Sequence, residues 1–402
     1  STTSGRPAPA PPPAPPAPVV IPRSACLAYP GFPPYHEGIE YHDDTGLLVG
    51  SVAILERKPG DVHVISMIIP GGEGSPVTLM PIIRDPPKNM LGQLGLHIDR
   101  RAIWGEPDRL LATNLDAAPK ASTAGVFMFD IENRDHAWYW SADDSKDIPD
   151  HFTPNDLTAC GPRRENVYVT DHFDGYIVQI NGSSSAAPDN KDYRVLAKIK
   201  ENFFPADPSK LETEGHIVNG IECMSDDTLL VAFMTPPGTK GKILRVDMET
   251  GEYAEVPLPD VDGTGMFSRF DGFYKEDETT LWATTNTGNG RVLKIVATDP
   301  GWTAIEAVFA REPTSCDTGD NGPTTGVLVR DTFVTSGDKI EAMEKSSLKL
   351  VWPSGGGGGG SSSSSGSGSG GSTGDGADDY PHGLVATLAV FVALFGAVIL
   401  GA

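Results

Sequence analysis

Apolar and polar residues alternate in short runs through the middle of this chain. Clear examples are NVYVTD at 166–171, TLLVAFM at 228–234 and TLWATT at 280–285. Successive side chains of a β-strand point to opposite faces, so a period of two predicts strands. No segment keeps apolar residues at helical spacing over even a few turns. The pattern therefore predicts an all-β protein.

These runs recur as a unit: an inner strand, a turn, a second strand and a hairpin partner that often begins at Gly. The units begin near residues 38, 95, 156, 220, 271 and 325, and a spacing of roughly 50 to 65 residues suits a four-stranded blade with its loops. Six units predict a six-bladed β-propeller, which removes free strand edges by closing into a ring. Two stacked β-sandwiches would not explain why one motif recurs at every unit start.

Other segments have predicted places in this ring. A more irregular fourth strand is expected in most units, for example at 137–140, 193–197 and 303–309. The segment Cys26–Tyr29 is expected to complete the last blade and fasten the ring. The connections 79–93 and 198–217 are too long for simple turns, and we expect them to form lids over one face.

Composition divides the chain into four parts. Residues 1–23 are mostly Pro and Ala and predict an extended tail, and residues 354–382 are rich in Gly and Ser, as in a flexible linker. The propeller is predicted to occupy 24–353. Residues 383–402 form a hydrophobic segment without a charged residue.

The hydrophobic segment 383–402 is long enough to span a bilayer as a helix. It is preceded by small residues, including Ser372 and Gly374, and no basic residue follows it. That order favours a glycosylphosphatidylinositol (GPI) signal, with a simple tail anchor as the alternative. The chain also begins with Ser, which a removed signal peptide would explain, and carries the glycosylation sequon 181–183. We therefore expect an extracellular protein held at the cell surface.

The four cysteines, at 26, 160, 223 and 316, permit two disulfides in an oxidising compartment, with three possible pairings. Alternatively, Cys160 and Cys223 are buried thiols of inner strands.

The formal net charge is −23, from 54 acidic and 31 basic residues. Nucleic-acid binding requires clustered cations that neutralise phosphates, and no Lys/Arg-rich run is present. The charge balance therefore argues against a nucleic-acid partner.

Oxygen-bearing side chains recur where inner strands begin. They are Glu37, Asn155, Asn219 and Asp271. Because inner strands run along the propeller axis, these side chains should meet at one mouth of the central channel. Two carboxylates and two amides suit a hard divalent cation, and so irregular a set suits Ca²⁺ better than Mg²⁺. Asn and Asp also favour loop-to-strand junctions for purely structural reasons, but recurrence in four units favours a metal site.

The sequence of Glu37, then Asn155-Asp156, then Asn219-Gly220, then Asp271-Gly272 resembles the regucalcin/gluconolactonase family and the related paraoxonase/arylesterase branch. The segments 154–177 and 110–131 are similar to paraoxonase-type blades. The resemblance implies a calcium-dependent six-bladed propeller in which the four axial residues bind the ion. It also implies Asp271 as the general base, with Glu37 as the second candidate.

Two departures limit what the resemblance implies. Gluconolactonase-like enzymes have an Arg where this chain has Thr153, and paraoxonases have a histidine pair where it has Leu94 and Leu115. His97 is displaced from that register. His97, His36 and His216 are interpreted as structural or loop residues.

The predicted function is calcium-dependent hydrolysis of a small lactone or ester by a monomeric surface propeller. The alternative is a non-catalytic calcium-binding propeller that binds glycan or protein. A strictosidine-synthase-like condensing enzyme would share the fold but use a Glu and no metal.

Overall fold

The structure is a computed structural model of the chain in which six antiparallel sheets surround a central axis. The predicted all-β, six-bladed propeller is confirmed. The structure describes residues 25–28, 37–51, 65–70, 76–83, 87, 89–90, 92, 94–100, 107–114, 124–132, 134–142, 145–149, 152–161, 165–181, 192–199, 215–235, 239–259, 267, 269–285, 291–311, 323–337 and 339–353.

The first three blades follow one another along the chain, and each has four strands. Blade 1 contains β2 (Ile39–His42), β3 (Leu47–Ser51), β4 (Ile65–Ile69) and β5 (Thr78–Pro81). Blade 2 contains β6 (Leu96–Asp99), β7 (Arg109–Asn114), β8 (Gly125–Asp130) and β9 (His136–Ser141). Blade 3 contains β10 (Pro154–Cys160), β11 (Asn166–Asp171), β12 (Tyr176–Asn181) and β13 (Tyr193–Lys198).

The last three blades include both chain-terminal strands. Blade 4 contains β14 (Ile217–Cys223), β15 (Thr228–Met234), β16 (Lys242–Asp247) and β17 (Tyr253–Glu255). Blade 5 contains β18 (Phe270–Asp277), β19 (Thr280–Thr285), β20 (Arg291–Ala297), β21 (Ile305–Ala310) and β25 (Lys349–Pro353). Blade 6 contains β22 (Thr325–Val329), β23 (Thr332–Ser336), β24 (Lys339–Glu344) and, from the other end of the chain, β1 (Ala25–Ala28).

The ring closes as predicted, because β1 pairs antiparallel with β24 in the last blade. The N-terminal strand thereby joins the two ends of the propeller in one sheet. β25 pairs with β21 at the outer edge of blade 5, which the sequence did not predict. The predicted connection at 79–93 is wrong in its first residues, since β5 covers Thr78–Pro81.

Apolar side chains pack between neighbouring blades, so one face of each sheet covers the face of the next. At the blade 5–6 boundary, the rings of Trp282 and Phe333 are stacked with centroids 4.5 Å apart, and both are buried. Burying a side chain of this size contributes about 1.5–3 kcal/mol. Packing between blades therefore fixes the inner strands around the axis.

A disulfide joins Cys160 and Cys223, the last residues of inner strands β10 and β14, with their Cα atoms 5.7 Å apart. The disulfide alternative is therefore confirmed for this pair, and the thiol alternative is wrong. Cys26 is also disulfide-bonded, whereas Cys316 lies outside the described residues. A bridge of this kind typically stabilises a fold by about 2–4 kcal/mol.

Several predicted features lie outside the described residues: the tail 1–23, the linker 354–382, the hydrophobic segment 383–402, His36 and Leu115, and most of the connection 198–217. Within the described ranges, no helix is long and apolar enough to cross a bilayer.

Candidate functional site

Three of the four predicted site residues lie on irregularities of the inner strands. In β10, β14 and β18, two residues oppose a single residue of the neighbouring strand, which is a β-bulge. The bulged pairs are Asn155-Asp156, Asn219-Gly220 and Asp271-Gly272. A bulge breaks the strict alternation of a strand and can re-aim a side chain. The same local distortion thus recurs in blades 3, 4 and 5 beside the axis.

The four predicted residues meet in one narrow pocket on the axis. Glu37, Asn155, Asn219 and Asp271 all line it, together with Asp156, and its cavity volume is about 20 Å³. A cavity of that size holds about one water molecule, which is also the scale of a single cation. The structure therefore brings the predicted residues together, while their role as metal ligands stays a prediction.

Hydrogen bonds connect the two amides of this pocket. Asn155 Nδ2 donates to Asn219 Oδ1 at 2.5 Å and to His172 Nδ1 at 2.6 Å. Burial lowers the pKa of His172 to about 4, so its ring is neutral at physiological pH and can accept at Nδ1. The sequence analysis did not identify His172 as part of the site.

The carboxyl groups of the pocket lie close together. Burial, followed by the negative charges of Asp271 and Asp156, raises the pKa of Glu37 well above its usual range. Burial also raises the pKa of Asp156 to about 7, although amide hydrogen bonds from Ile221 and Leu157 oppose the shift. No Lys or Arg is among the described residues that line the pocket. A bound cation would relieve this repulsion, so the donor set and its charge fit Ca²⁺.

Ser and Thr hydroxyl groups hydrogen-bond to the backbone of the axial residues, a feature that the sequence analysis did not predict. In every blade except the fourth, a Ser or Thr near the end of the second strand donates to the carbonyl oxygen of the axial residue in the next blade. The pairs are Ser51 to Leu94 at 2.9 Å, Thr113 to Asn155 at 3.2 Å, Thr170 to Asn219 at 2.8 Å, Thr284 to Thr324 at 2.7 Å and Ser336 to Glu37 at 3.4 Å. The equivalent residue of blade 4 is Ala232, which faces the bulge at Asn219-Gly220.

Glycine beside the axial residue lets neighbouring inner strands approach. A Cβ added at Gly220 would lie 2.2 Å from the carbonyl oxygen of Asp271, and one added at Gly95 would lie 2.5 Å from Asp156 Oδ1. Neither position can hold a side chain without moving the pocket wall. These glycines therefore keep the pocket narrow.

The structure shows where the residues lie that differ from the gluconolactonase and paraoxonase patterns. Leu94 lines the pocket in blade 2, so no imidazole occupies that axial place. Thr153 is buried and its amide donates to Asp171 Oδ1 at 3.1 Å. The ring of His216 lies edge-on to Phe233, with centroids 5.6 Å apart, which agrees with a structural role.

The opposite mouth of the channel is wider and holds a second set of polar residues. A cavity of about 360 Å³ there is lined by Glu40, His97, Arg100, Glu222 and Tyr274, among others. His97 Nδ1 lies 3.8 Å from Glu40 Oε1. His97 therefore lies at the other end of the channel from the predicted catalytic residues.

A third group combines His42, Asp44 and Asp108, whose potential ligand atoms lie within 4.8 Å of one another. His42 Nε2 is 2.8 Å from Asp108 Oδ2, and His42 Nδ1 is 2.8 Å from Thr45 Oγ1. Both ring nitrogens are thus hydrogen-bonded, and the group holds blade 1 to the turn before β7 without needing an ion.

No protein-family profile and no curated protein sequence matches this chain. Solved structures do match it. A luciferin-regenerating enzyme is 10% identical over 81% of this chain and 97% of its own, with a TM-score of 0.50. A calcium-binding protein, regucalcin, from Agrobacterium tumefaciens strain C58 is 12% identical over 82% and 95%, with a TM-score of 0.46. A Trichoderma reesei carbohydrate-active enzyme of family AA12 is 12% identical over 84% and 98%, with a TM-score of 0.43.

At 10% identity, the likeness to the luciferin-regenerating enzyme shows the fold alone. The six-bladed propeller is therefore established by its own sheet order and agrees with the first of these neighbours. The chemistry of the chain has to be argued from its own axial residues.

Proposed function

We propose that this protein is a calcium-dependent hydrolase of small lactones or esters, displayed at the cell surface. The observation that carries the proposal is the axial pocket, where Glu37, Asn155, Asn219 and Asp271 from blades 1, 3, 4 and 5 converge on a volume of about 20 Å³. The resemblance of these residues to those of lactonases and arylesterases supplies the substrate class.

The donor set favours calcium over other ions. Its four side chains offer only oxygen to a cation, and neither thiol nor imidazole lines the described pocket. Calcium accepts carboxylate and amide oxygens in irregular geometry, whereas soft ligands would select zinc or copper. When bound, calcium polarises a carbonyl oxygen and stabilises the negative charge that develops on it.

The residues of the chain would supply the remaining steps. Asp271 is buried at the pocket wall, and its carboxylate would take a proton from the attacking water, with Glu37 as the second candidate base. The amides of Asn155 and Asn219 cannot accept a proton at neutral pH, so they would position and not react.

A specific observation favours the second candidate, a non-catalytic calcium-binding propeller. Leu94 occupies the axial place in blade 2, and no Arg stands at Thr153, so two substrate-holding features of the related enzymes are missing. Such a protein would retain the ion as a structural element and bind glycan or protein through its loops.

The discriminating experiment is an assay of the purified protein against a panel of lactones and aryl esters, in millimolar calcium and in chelator. Calcium-dependent turnover of any member supports the hydrolase. Calcium binding without turnover across the panel would replace it with the binding propeller. Metal-independent turnover would contradict both, and would favour a condensing-enzyme type of site.

Surface display is a separate part of the proposal and rests on the hydrophobic segment 383–402. Treating intact cells with a phosphatidylinositol-specific phospholipase should release the protein, and mass spectrometry should find no peptide from 383–402 in mature material. Recovery of that peptide would favour a tail anchor instead.

A further inference from the structure

We propose that His172 is the positioning residue of the metal site: it holds the Asn155 amide so that the oxygen, and not the nitrogen, is presented to the cation. The inference deepens the proposed calcium site and rests on it. It is carried by the contact of 2.6 Å between Asn155 Nδ2 and His172 Nδ1.

The argument begins with the two hydrogens of the Asn155 amide. One is directed to Asn219 Oδ1 at 2.5 Å and the other to His172 Nδ1 at 2.6 Å. With both donors used, the polar atom that remains for the pocket is Oδ1. Calcium binds the oxygen of a carboxamide, whereas a flipped amide would direct N–H groups at the cation.

With its hydrogen on Nε2, which the 2.6 Å contact from Asn155 Nδ2 requires, His172 selects between these two orientations, because Nδ1 then accepts and cannot donate. If the amide flipped, Asn155 Oδ1 would face the lone pair of His172 Nδ1 and the hydrogen bond would be lost. Asn219 cannot make this selection, since its own amide can rotate and offer either atom. The imidazole is therefore the fixed reference for the pair.

The surrounding structure holds His172 in place. It follows β11 directly, its backbone amide donates to the carbonyl oxygen of Thr153 at 2.9 Å, and its ring lies edge-on to Phe173 with centroids 4.6 Å apart. Thr153 itself lies two residues before Asn155. The backbone thus places donor and acceptor on the same strand pair, at the bulge of β10.

Two substitutions separate positioning from packing. His172→Phe keeps a ring of similar size but removes the acceptor. His172→Asn is smaller but can place its Oδ1 where Nδ1 stands, so it restores an acceptor. Asn155→Ala, which removes the ligand itself, is the reference. Removing the partner of a metal ligand typically weakens metal affinity about 10- to 100-fold.

The experiment measures calcium affinity by titration calorimetry on the chelator-treated full chain, and terbium luminescence lifetimes in H₂O and D₂O, which report waters on the ion. We expect His172→Phe to lose about 10- to 100-fold in affinity and to admit an extra water, as Asn155→Ala does. His172→Asn should lie between His172→Phe and wild type in both measurements, because it restores an acceptor but its amide can also rotate. Melting curves in chelator should be the same for wild type and His172→Phe if packing is intact.

The outcomes are distinguishable. A wild-type chain that binds neither calcium nor terbium overturns the proposed site and this inference together. A wild-type chain that binds, with His172→Phe equal to it in affinity and water count, overturns the role of His172 alone. If His172→Asn is as weak as His172→Phe and both melt lower in chelator, the histidine serves packing, and the positioning role is rejected.

Discussion

Acidic side chains lie at both mouths of the channel, but the charges that surround them differ between the two mouths. At the narrow mouth, Glu37 faces Asp271 and Asp156, and those acids raise its pKa beyond the effect of burial. At the wide mouth, burial and the charge of Glu222 raise the pKa of Glu40, but Arg100 opposes the shift.

Hydrogen bonds enlarge this difference. Glu222 accepts from Thr158 Oγ1 at 3.2 Å and from the Cys223 amide at 2.8 Å. Glu276, also at the wide mouth, pairs with Lys294 and Lys345. Among the described residues, the acids of the wide mouth thus have basic or hydrogen-bonding partners, whereas the lining of the narrow mouth gathers oxygens around a volume of about 20 Å³ and includes no Lys or Arg. The described lining of the narrow mouth is therefore the better suited of the two to a bound cation.

The largest expected effect is on turnover. Asp271→Asn keeps an oxygen ligand of the same size but removes the charge and the base. If the protein is a hydrolase, kcat should fall about a hundredfold or more while the variant still folds and binds some calcium. Glu222→Gln, the matched change at the wide mouth, should leave kcat unchanged. Equal losses in the two variants, measured on the best substrate of the panel, would contradict the assignment of chemistry to one mouth.

Calcium should stabilise the fold through the narrow mouth alone. A ligand that binds only the folded state adds about 2.7 kcal/mol at a hundred times its dissociation constant. Melting curves in chelator and in calcium should therefore separate for wild type and for Glu40→Gln, and should separate less for Glu37→Gln, which keeps an oxygen ligand but loses its charge. In chelator, Glu37→Gln should melt above wild type, because it removes a buried repulsion. A wild-type curve unaffected by calcium would count against the site.

Part of the fold and most of the narrow-mouth site could be predicted from the sequence. The strands β11, β15 and β19 have the predicted bounds, because strict alternation and Gly or Asp turns mark their ends. The four axial residues were found by their recurrence, since a propeller brings equivalent positions of its repeats to one axis. β5, β17 and β25 were missed because they are short or partly exposed.

What the sequence could not reveal depends on register. His172 is 17 residues from Asn155, and only the pairing of β10 with β11 brings them together. The hydroxyls of Ser51, Thr113 and Thr170 do recur at equivalent strand positions, which is a visible signal. The sequence alone does not show, however, that each hydroxyl lies within hydrogen-bond distance of a carbonyl oxygen in the next blade. Asp156 was part of the blade motif but was not predicted as a site residue, because strict alternation would turn it away from the axis; the bulge brings it to the pocket.

Stability in chelator should fall as pH rises from about 4 to about 7. Folding raises the pKa of Asp156 to about 7, while an unfolded Asp titrates near 3.9. In this window the folded state binds more protons, so its advantage is lost as pH rises through the folded pKa. Glu37 and Glu40 also have raised pKa values and act in the same direction. Urea unfolding of chelated protein should show the slope, and Asp156→Asn should reduce it. Calcium should flatten it, because the ion requires deprotonated ligands.

Glu276 at the wide mouth provides the control of opposite sign. Burial alone would raise its pKa, but hydrogen bonds from Lys345, Lys294 and Trp282 outweigh burial and lower it to about 2. Its contribution is therefore present above the usual Glu range and lost only as pH falls toward about 2. Glu276→Gln should destabilise the protein near neutral pH by about 1–2 kcal/mol, with or without calcium. A calcium-dependent effect of this variant would show that the two mouths are coupled.

The smallest expected effect is on stability and concerns blade 4, the one blade of the six in which, among the described residues, no Ser or Thr hydroxyl donates to the axial carbonyl oxygen of the next blade. Ala232 is buried at the position where the other blades carry Ser or Thr, and the carbonyl oxygen of Asp271 passes close to Gly220 on the same side. Ala232→Ser should add a hydrogen bond from blade 4 to blade 5, worth about 0.5–1.5 kcal/mol, and should raise the urea midpoint without changing calcium affinity. Ala283→Ser is the matched control: it also adds a hydroxyl to a buried alanine of a second strand, but at a position that pairs with Phe273 and not with a bulge, so it should lower the midpoint. If both variants lower it equally, blade 4 has no room for the bond, and Ala232 is instead required by the tight approach of its inner strand to Asp271.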